Sequence, residues 1–312
     1  MSEKTKFKTS VGGQAVLEGV MMRGPAHWCL AVRTPNGEIV TEIHGNIQRP
    51  AFFRWPLVRG VLGFIDSLSV GYKTLMRSAE LSMTEEEQEA ELSGFDKWVD
   101  KHFGDKGMNV VMALSTVFGV VLSLGLFMFL PTFLVNLFNN HVYPLGGYRT
   151  LLEGVVKILL FVAYLALVRN SKDIRRVFAY HGAEHKTIFC YESGDELTVE
   201  NIRTHTRFHP RCGTSFILIV LVISILLFSI LPWSGTLNRV LLKLLLLPLV
   251  MALAYELIRL AGRHDNILTR FISAPGLWLQ RLTTNEPDDS MIEVAIAAVQ
   301  PVLPQTPDEA KW

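Results

Sequence analysis

Charge is scarce in this sequence. Only 19% of its 312 residues are charged, the formal net charge is +1 and the isoelectric point is about 7.8. That balance excludes the one-sign field needed to hold nucleic acid or to steer an acidic partner. Cysteine is scarcer still. Cys29, Cys190 and Cys212 are too few and too widely spaced for a secreted disulfide framework, and an odd number leaves at least one thiol unpaired. No apolar stretch directly follows Lys4, Lys6 and Lys8, so a cleavable signal peptide is not expected and membrane insertion falls to internal helices. No phosphate-loop lysine follows the glycines near the N-terminus, which excludes a P-loop or dinucleotide fingerprint.

What is present is apolar residues gathered in blocks. They make up 49% of the chain, and four blocks are near the roughly 20 residues that cross about 30 Å of hydrocarbon. These are Met108 to Leu130, Thr150 to Val168, Ser215 to Leu231 and Val240 to Ile258. The run from Phe216 to Phe228 has a single polar residue, which excludes a half-exposed soluble helix. Pro131 and Pro232 are expected to end the first and third spans, and Pro248 to kink the fourth.

Arg169, Lys172, Arg175, Arg176, Lys186, Arg203, Arg207 and Arg211 crowd the segment between the second and third spans, and Arg259, Arg263 and Arg270 follow the fourth. Basic residues are retained on the cytoplasmic side, so both regions and both termini are expected there. The linkers Thr132 to Arg149 and Pro232 to Arg239 hold one basic residue each and belong outside. The expected class is thus a mainly α membrane protein with about four transmembrane helices and a small N-terminal α/β element (hairpin plus amphipathic helix). Its parts would be a cytoplasmic region 1–106, a transmembrane region 107–262 with a cytoplasmic loop 169–214, and a cytoplasmic tail 263–312 with short amphipathic helices.

Before the first span, Trp28 to Ile43 reads as a β-hairpin around Pro35, Asn36 and Gly37, expected to join a small sheet. Leu57, Val58, Val61, Leu62, Ile65, Leu68, Leu75 and Met76 recur at helical spacing, and this helix is expected to dock on the bundle in preference to lying in lipid. The acidic run Thr84 to Glu91 reads as a solvated linker. Asp288, Asp289 and Ser290 cap a short amphipathic helix from Met291 to Val299, followed by a proline-rich tail.

The chemistry concentrates at His181-Gly-Ala-Glu184-His185. On a helix the two imidazoles stand at i and i+4 and reach one metal ion. Glu184 shares their face and is placed to take a proton from an attacking water. His205, His209 and Cys212 follow in the same loop, which holds four of the nine histidines and two of the three cysteines. Such nitrogen and sulfur donors suit zinc, with iron as second choice. His209 and Cys212 are the nearest further ligands, with the Pro210 turn between them. His205 and Glu256 are additional candidates, while Cys190 and His264 are weaker. Gln14, Glu18 and Arg23, set among four glycines, form a possible binding loop, or else a tight turn feeding the hairpin.

Four stretches in order, Gly13 to Pro25, Tyr180 to Thr187, His209 to Phe216 and Leu282 to Pro287, resemble the YqhQ-like family of bacterial membrane proteins. The resemblance covers nearly the whole chain. It implies a metal-dependent membrane enzyme with no established substrate, a metal site at His181, Glu184, His185, His209 and Cys212, and a functional surface that includes Gln14, Glu18 and Arg23. The expectation is a hydrolase at the cytoplasmic membrane surface, acting on a membrane peptide or a lipid. The alternative is a non-catalytic scaffold or assembly factor folded by a structural zinc. A transporter is disfavoured because the spans carry few polar residues and no evident repeat. Oligomeric state is not legible.

Overall fold

The computed structural model describes residues 7–47, 50, 53, 55–84, 86, 94–233, 235–263, 266–304 and 309. The chain divides into two compact units, each discontinuous in sequence. One combines residues 1–82, 165–220 and 248–312; the other combines 83–164 and 221–247.

The first unit is built on a four-stranded antiparallel sheet in the order β1-β2-β3-β4, formed by Gly12–Val16, Gly19–Arg23, His27–Arg33 and Ile39–Gly45. The expected hairpin is β3 and β4, with Val32 opposite Val40 and Gly37 at φ 87° in the turn. The glycine-rich stretch expected as a binding loop or turn is instead a second hairpin. Gly13 pairs with Met22, Val16 pairs with Gly19, and Glu18 takes φ 49° in the two-residue connection.

Strand periodicity sorts β2 and β3 onto two cores. Val20, Met22, Cys29 and Ala31 face one side, while Met21, Leu30 and Val32 face the other with Val16. Helix α1 (Val58–Ser82) covers the second side through Val70. The first side is covered by α5 (Lys172–Ser193) and by α10 (Asp289–Val299), whose Ile292, Val294, Ala295, Ala298 and Val299 are fully buried. The C-terminal helix expected to be amphipathic buries its apolar face against the sheet, leaves Asp289 and Glu293 exposed, and is capped by Asp288 as anticipated. Full burial of one such aliphatic side chain contributes roughly 1.5–3 kcal/mol. Burial on both faces explains why β2 and β3 read as continuous apolar runs.

Helix α1 forms where its periodicity places it, but it docks by the opposite face. Its buried residues are Gly60, Asp66, Val70, Thr74 and Ser78, while Ile65, Leu68, Tyr72 and Leu75 stay exposed. Polar ties explain this. Gln14 Nε2 donates to Thr74 Oγ1 at 2.9 Å, Leu17 N–H donates to Ser78 Oγ at 3.2 Å, and Arg23 pairs with Asp66 at 2.6 Å.

Three apolar stretches among the described residues are long enough to cross a membrane: Val110–His141, Gly146–Val168 and Thr236–Leu260. The first joins α2 (Gly94–Leu124), a π-turn at Gly125–Phe129 and α3 (Leu130–His141). Pro131 thus does not end the helix. It sits in the first turn of α3, where a missing N–H is harmless, and the wide turn before it takes up the proline ring. Most of the linker expected outside, Thr132 to Arg149, is accordingly helical.

The other long helices are α4 (Arg149–Val168) and α8 (Thr236–Arg263), which carries Pro248 within it. Helix α7 (Gly213–Phe228), where the third span is expected, has 16 residues and is shorter than the three stretches long enough to cross a membrane. Between α5 and α7 lies short α6 (Val199–Thr204), and α9 (Ile267–Thr283) follows α8. Most of the run at Thr84 to Glu91, the candidate His264 and Pro307 of the final prolines lie outside the described residues.

In the second unit, charged side chains gather inside the apolar stretches. Lys243 and Arg239 are fully buried and both pair with Glu153; Thr132 Oγ1 donates to Glu153 at 3.0 Å and Thr150 Oγ1 accepts from Arg239 at 2.9 Å. Buried ions are tolerable only when paired and hydrogen-bonded in this way.

Candidate metal centre

Helix α5 carries the motif and is held on several sides. Gly194, at φ 69°, closes its C-terminus by donating to Tyr191 O and Cys190 O. At Gly182 a side chain would run into the carbonyl oxygen of Asn285, so the segment after α9 packs directly on the helix backbone. Asn285 N–H donates to Phe178 O at 2.8 Å, fixing that segment in place.

One helical turn apart, the His181 and His185 rings lie with centroids 4.4 Å from each other. Cys212 completes the group: one donor atom from each of His181, His185 and Cys212 lies within 4.8 Å of the others. The His181 Nε2 to Cys212 Sγ distance is 3.1 Å. Each ring is held through its other nitrogen. His181 Nδ1 lies 2.8 Å from Thr283 O, and His185 Nδ1 lies 2.5 Å from Arg207 O. A carbonyl accepts and cannot donate, so both rings carry hydrogen on Nδ1, which leaves Nε2 as the nitrogen able to bind a metal. This is the arrangement that metal-binding histidines use. His185 Nε2 is buried with no hydrogen-bond partner among the described residues.

Glu184 lies beside them, buried. Its Oε1 accepts from Gly13 N–H at 3.1 Å, and its Oε2 has no hydrogen-bond partner among the described residues. Gly13 is on β1, an edge strand, and a side chain there would press on Met21 O and Met22 Sδ. Glu184 Oε2 and His185 Nε2, two of the four unpartnered buried side-chain atoms among the described residues, stand on neighbouring residues.

Electrostatics agree with the donor set. Burial opposes ionisation of Cys212, but the charges of His181 and His185 outweigh it and hold the thiol well below its usual range. Burial likewise disfavours charge on His181, yet the Cys212 thiolate and its hydrogen bond raise that ring to about 9. The pair thus shares a proton that a cation would displace. Burial raises the Glu184 carboxyl, against the opposing pull of the two histidines. Two nitrogens, a thiolate and an adjacent carboxylate fit a borderline-soft divalent ion.

Several expected ligands go elsewhere. His209 is not in the group. Its ring packs edge-on against Phe189 at 4.7 Å, and its Nε2 is 3.8 Å from Glu192 Oε2. Burial holds it down to about 4, with the Arg211 charge adding to the effect. Its main chain is clasped by Gln280, which accepts from His209 N–H at 2.8 Å and donates to His209 O at 2.7 Å. His205 pairs with Asp195 at 3.3 Å, and Glu256 pairs with Arg59. Cys190 points its sulfur at Glu196 O, 3.4 Å away. Of the N-terminal trio, Gln14 and Arg23 tie the sheet to α1, and Glu18 pairs with Arg176 of α5. They brace the hairpin whose Gly13 reaches Glu184.

The family described as Protein of unknown function (DUF1385) matches residues 55–305. The chain belongs to this family. A Bacillus subtilis (strain 168) relative described as "Uncharacterized protein YqhQ" is 32% identical over 305 residues, covering 96% of this chain and 94% of its own length. No solved structure matches. All three converging donors of this DUF1385 member lie inside the matched stretch, whereas Gly13 lies before it. Sequence reasoning missed the supports, because Thr283, Arg207 and Gly13 act through main-chain atoms. The only signal for them was that Gly13 and Thr283 sit in the motifs that carry the family resemblance.

Proposed function

We propose that this protein is a metal-dependent membrane enzyme, a hydrolase, with zinc or secondarily iron held by His181, His185 and Cys212. The observation that carries this reading is the pair of imidazoles pinned through Nδ1 to main-chain carbonyls, with one donor atom of each ring and the Cys212 sulfur within 4.8 Å of one another. Zinc bound there would supply Lewis acidity toward a carbonyl or phosphoryl oxygen. Glu184 takes a proton from the attacking water through Oε2, and Gly13 N–H orients the carboxylate through Oε1. Burial strengthens the proton affinity of that base at neutral pH. Among the described residues three side chains converge with Glu184 beside them as base, and three protein ligands would leave a position for water or substrate where a structural zinc takes four. That difference favours hydrolysis over the scaffold reading.

The remaining topology belongs to the same proposal. Helix α7 serves as the fourth span, both termini are cytoplasmic, and the basic segment between α4 and α7 stays inside. Cys212 immediately precedes α7, so the centre stands where the chain enters the bilayer. The substrate is a membrane peptide or a lipid.

Elemental analysis of detergent-purified protein tests the centre. Stoichiometric zinc or iron is expected in the wild type and in Glu184→Gln, with hydrolysis lost only in the variant. Metal should be absent from His181→Ala and His185→Ala. A wild type without metal, or metal retained in His185→Ala, overturns the reading.

A further inference from the structure

Two helices of the first unit turn their apolar faces outward. On α9, Ile267, Phe271 and Trp278 are 88%, 78% and 53% exposed. Separations of four and eleven residues put them within about 40° of one another on a helix of 3.6 residues per turn. The opposite side of α9 is buried at Thr269, Gly276, Leu279, Gln280 and Thr283. On α1 the exposed stripe is Ile65, Leu68, Tyr72 and Leu75, set against a docked stripe of smaller and more polar residues. An ordinary surface helix of a soluble domain has the reverse arrangement.

Both helices join the same end of one apolar stretch. The span Thr236–Leu260 ends in α8, and α9 starts at Ile267. Arg59, at the start of α1, pairs with Glu256 in the last turns of that span, and Gly60 packs on Ala252 and Tyr255. The outward faces therefore begin at the level where α8 leaves the hydrocarbon. Trp278 and Tyr72 are residue types favoured at that level, and Arg270 and Lys73 are long enough to keep their charges in water.

We propose that α1 and α9 lie in the headgroup boundary of the bilayer and seat this unit on lipid through Ile65, Leu68, Ile267, Phe271 and Trp278. The occupant of both faces is the lipid surface, not a second protein. This rests on the membrane reading above and deepens it, because the buried side of α9 carries Thr283, whose carbonyl holds His181. The centre then stands about one helix diameter, ~10 Å, from lipid. Such a site takes a substrate whose reacting bond lies at the interface, such as a headgroup ester or a peptide emerging from the bilayer.

The test is quenching of tryptophan fluorescence in nanodiscs made with brominated phosphatidylcholine, comparing full-length wild type with Trp278→Phe. The difference isolates Trp278. Bromine at carbons 6 and 7 should quench that component about twofold more than bromine at carbons 11 and 12, as expected for a residue 5–10 Å deep. Aqueous iodide should quench it weakly. Strong iodide quenching would mean the face is in water, and resistance to both quenchers would mean a protein covers it; either result overturns the proposal. Repeating the measurement after chelation separates the two claims, since the seating does not need the metal.

Discussion

The Nδ1 atom of His181 lies 2.8 Å from the carbonyl oxygen of Thr283, a residue 102 positions later in the chain. That contact fixes which nitrogen of the ring faces Cys212, and it joins the motif helix to the end of α9. The same logic on His185 uses the Arg207 carbonyl.

Cobalt substitution should report the sulfur directly. With Cys212 as a ligand, the cobalt form is expected to show a near-ultraviolet thiolate charge-transfer band that disappears in Cys212→Ser, with metal affinity falling at least tenfold. The alternative thiols, Cys29 and Cys190, are buried away from the group and should leave the band unchanged when replaced by Ala. A band that survives Cys212→Ser refutes the assignment.

Gly13→Ala should harm the centre from a distance. The added methyl meets Met21 O and Met22 Sδ, so β1 must shift on its partner strand. Overpacking of this kind costs typically 1–3 kcal/mol. The shift also withdraws the N–H that orients Glu184, so hydrolysis should fall while metal content stays near stoichiometric. Thermal unfolding and elemental analysis of one preparation check both halves.

Glu192 should dominate acid sensitivity of the first unit. It is fully buried, pairs with Arg211, and accepts from Thr9 N–H at 2.7 Å. Burial alone would raise its carboxyl, but the nearby His209 ring and the charge and hydrogen bond of Arg211 prevail and hold it below the usual range. A carboxylate depressed on folding contributes stability that is complete above its unfolded pKa, about 4.3, and is lost as pH falls through the folded value. Glu192→Gln should therefore destabilise the protein at pH 7 by about 3–5 kcal/mol, and the difference from wild type should shrink in acid. Parallel unfolding curves across pH 3 to 7 are the measurement.

Within the second unit, Glu153 serves two cations, Lys243 and Arg239. Removing the shared acid strands both, whereas removing Lys243 leaves Glu153 with Arg239. Glu153→Gln should thus lower the unfolding temperature in detergent clearly more than Lys243→Met. Equal effects would show that the Arg239 contact adds nothing to the Lys243 pair.

Four local features were legible in the sequence because local chemistry decides them. Apolar blocks marked the long helices, alternation and Pro35-Asn36-Gly37 marked β3 and β4, Asp288 marked the start of α10, and the i, i+4 spacing brought His181 and His185 together. Cys212 was found by its nearness in the loop. His209 is just as near in the loop but lies outside the three-donor group, because Phe189, Glu192 and Gln280 engage its ring and its main chain. No spacing rule reveals such competition. The first hairpin was hidden because its glycines read as turn residues, although Gly13 is there for close strand contact.

What the sequence determined alone is the membrane character and the motif pair, since hydrocarbon solvation and helical periodicity act over neighbours along the chain. Tertiary structure decided the rest. It chose which face of α1 is buried, set the apolar face of α10 against the sheet, and brought Cys212 within 4.8 Å of the two motif imidazoles. These outcomes depend on which distant backbone groups, Thr283 O, Arg207 O and Gly13 N–H, arrive to meet each side chain, and only the folded chain brings them there.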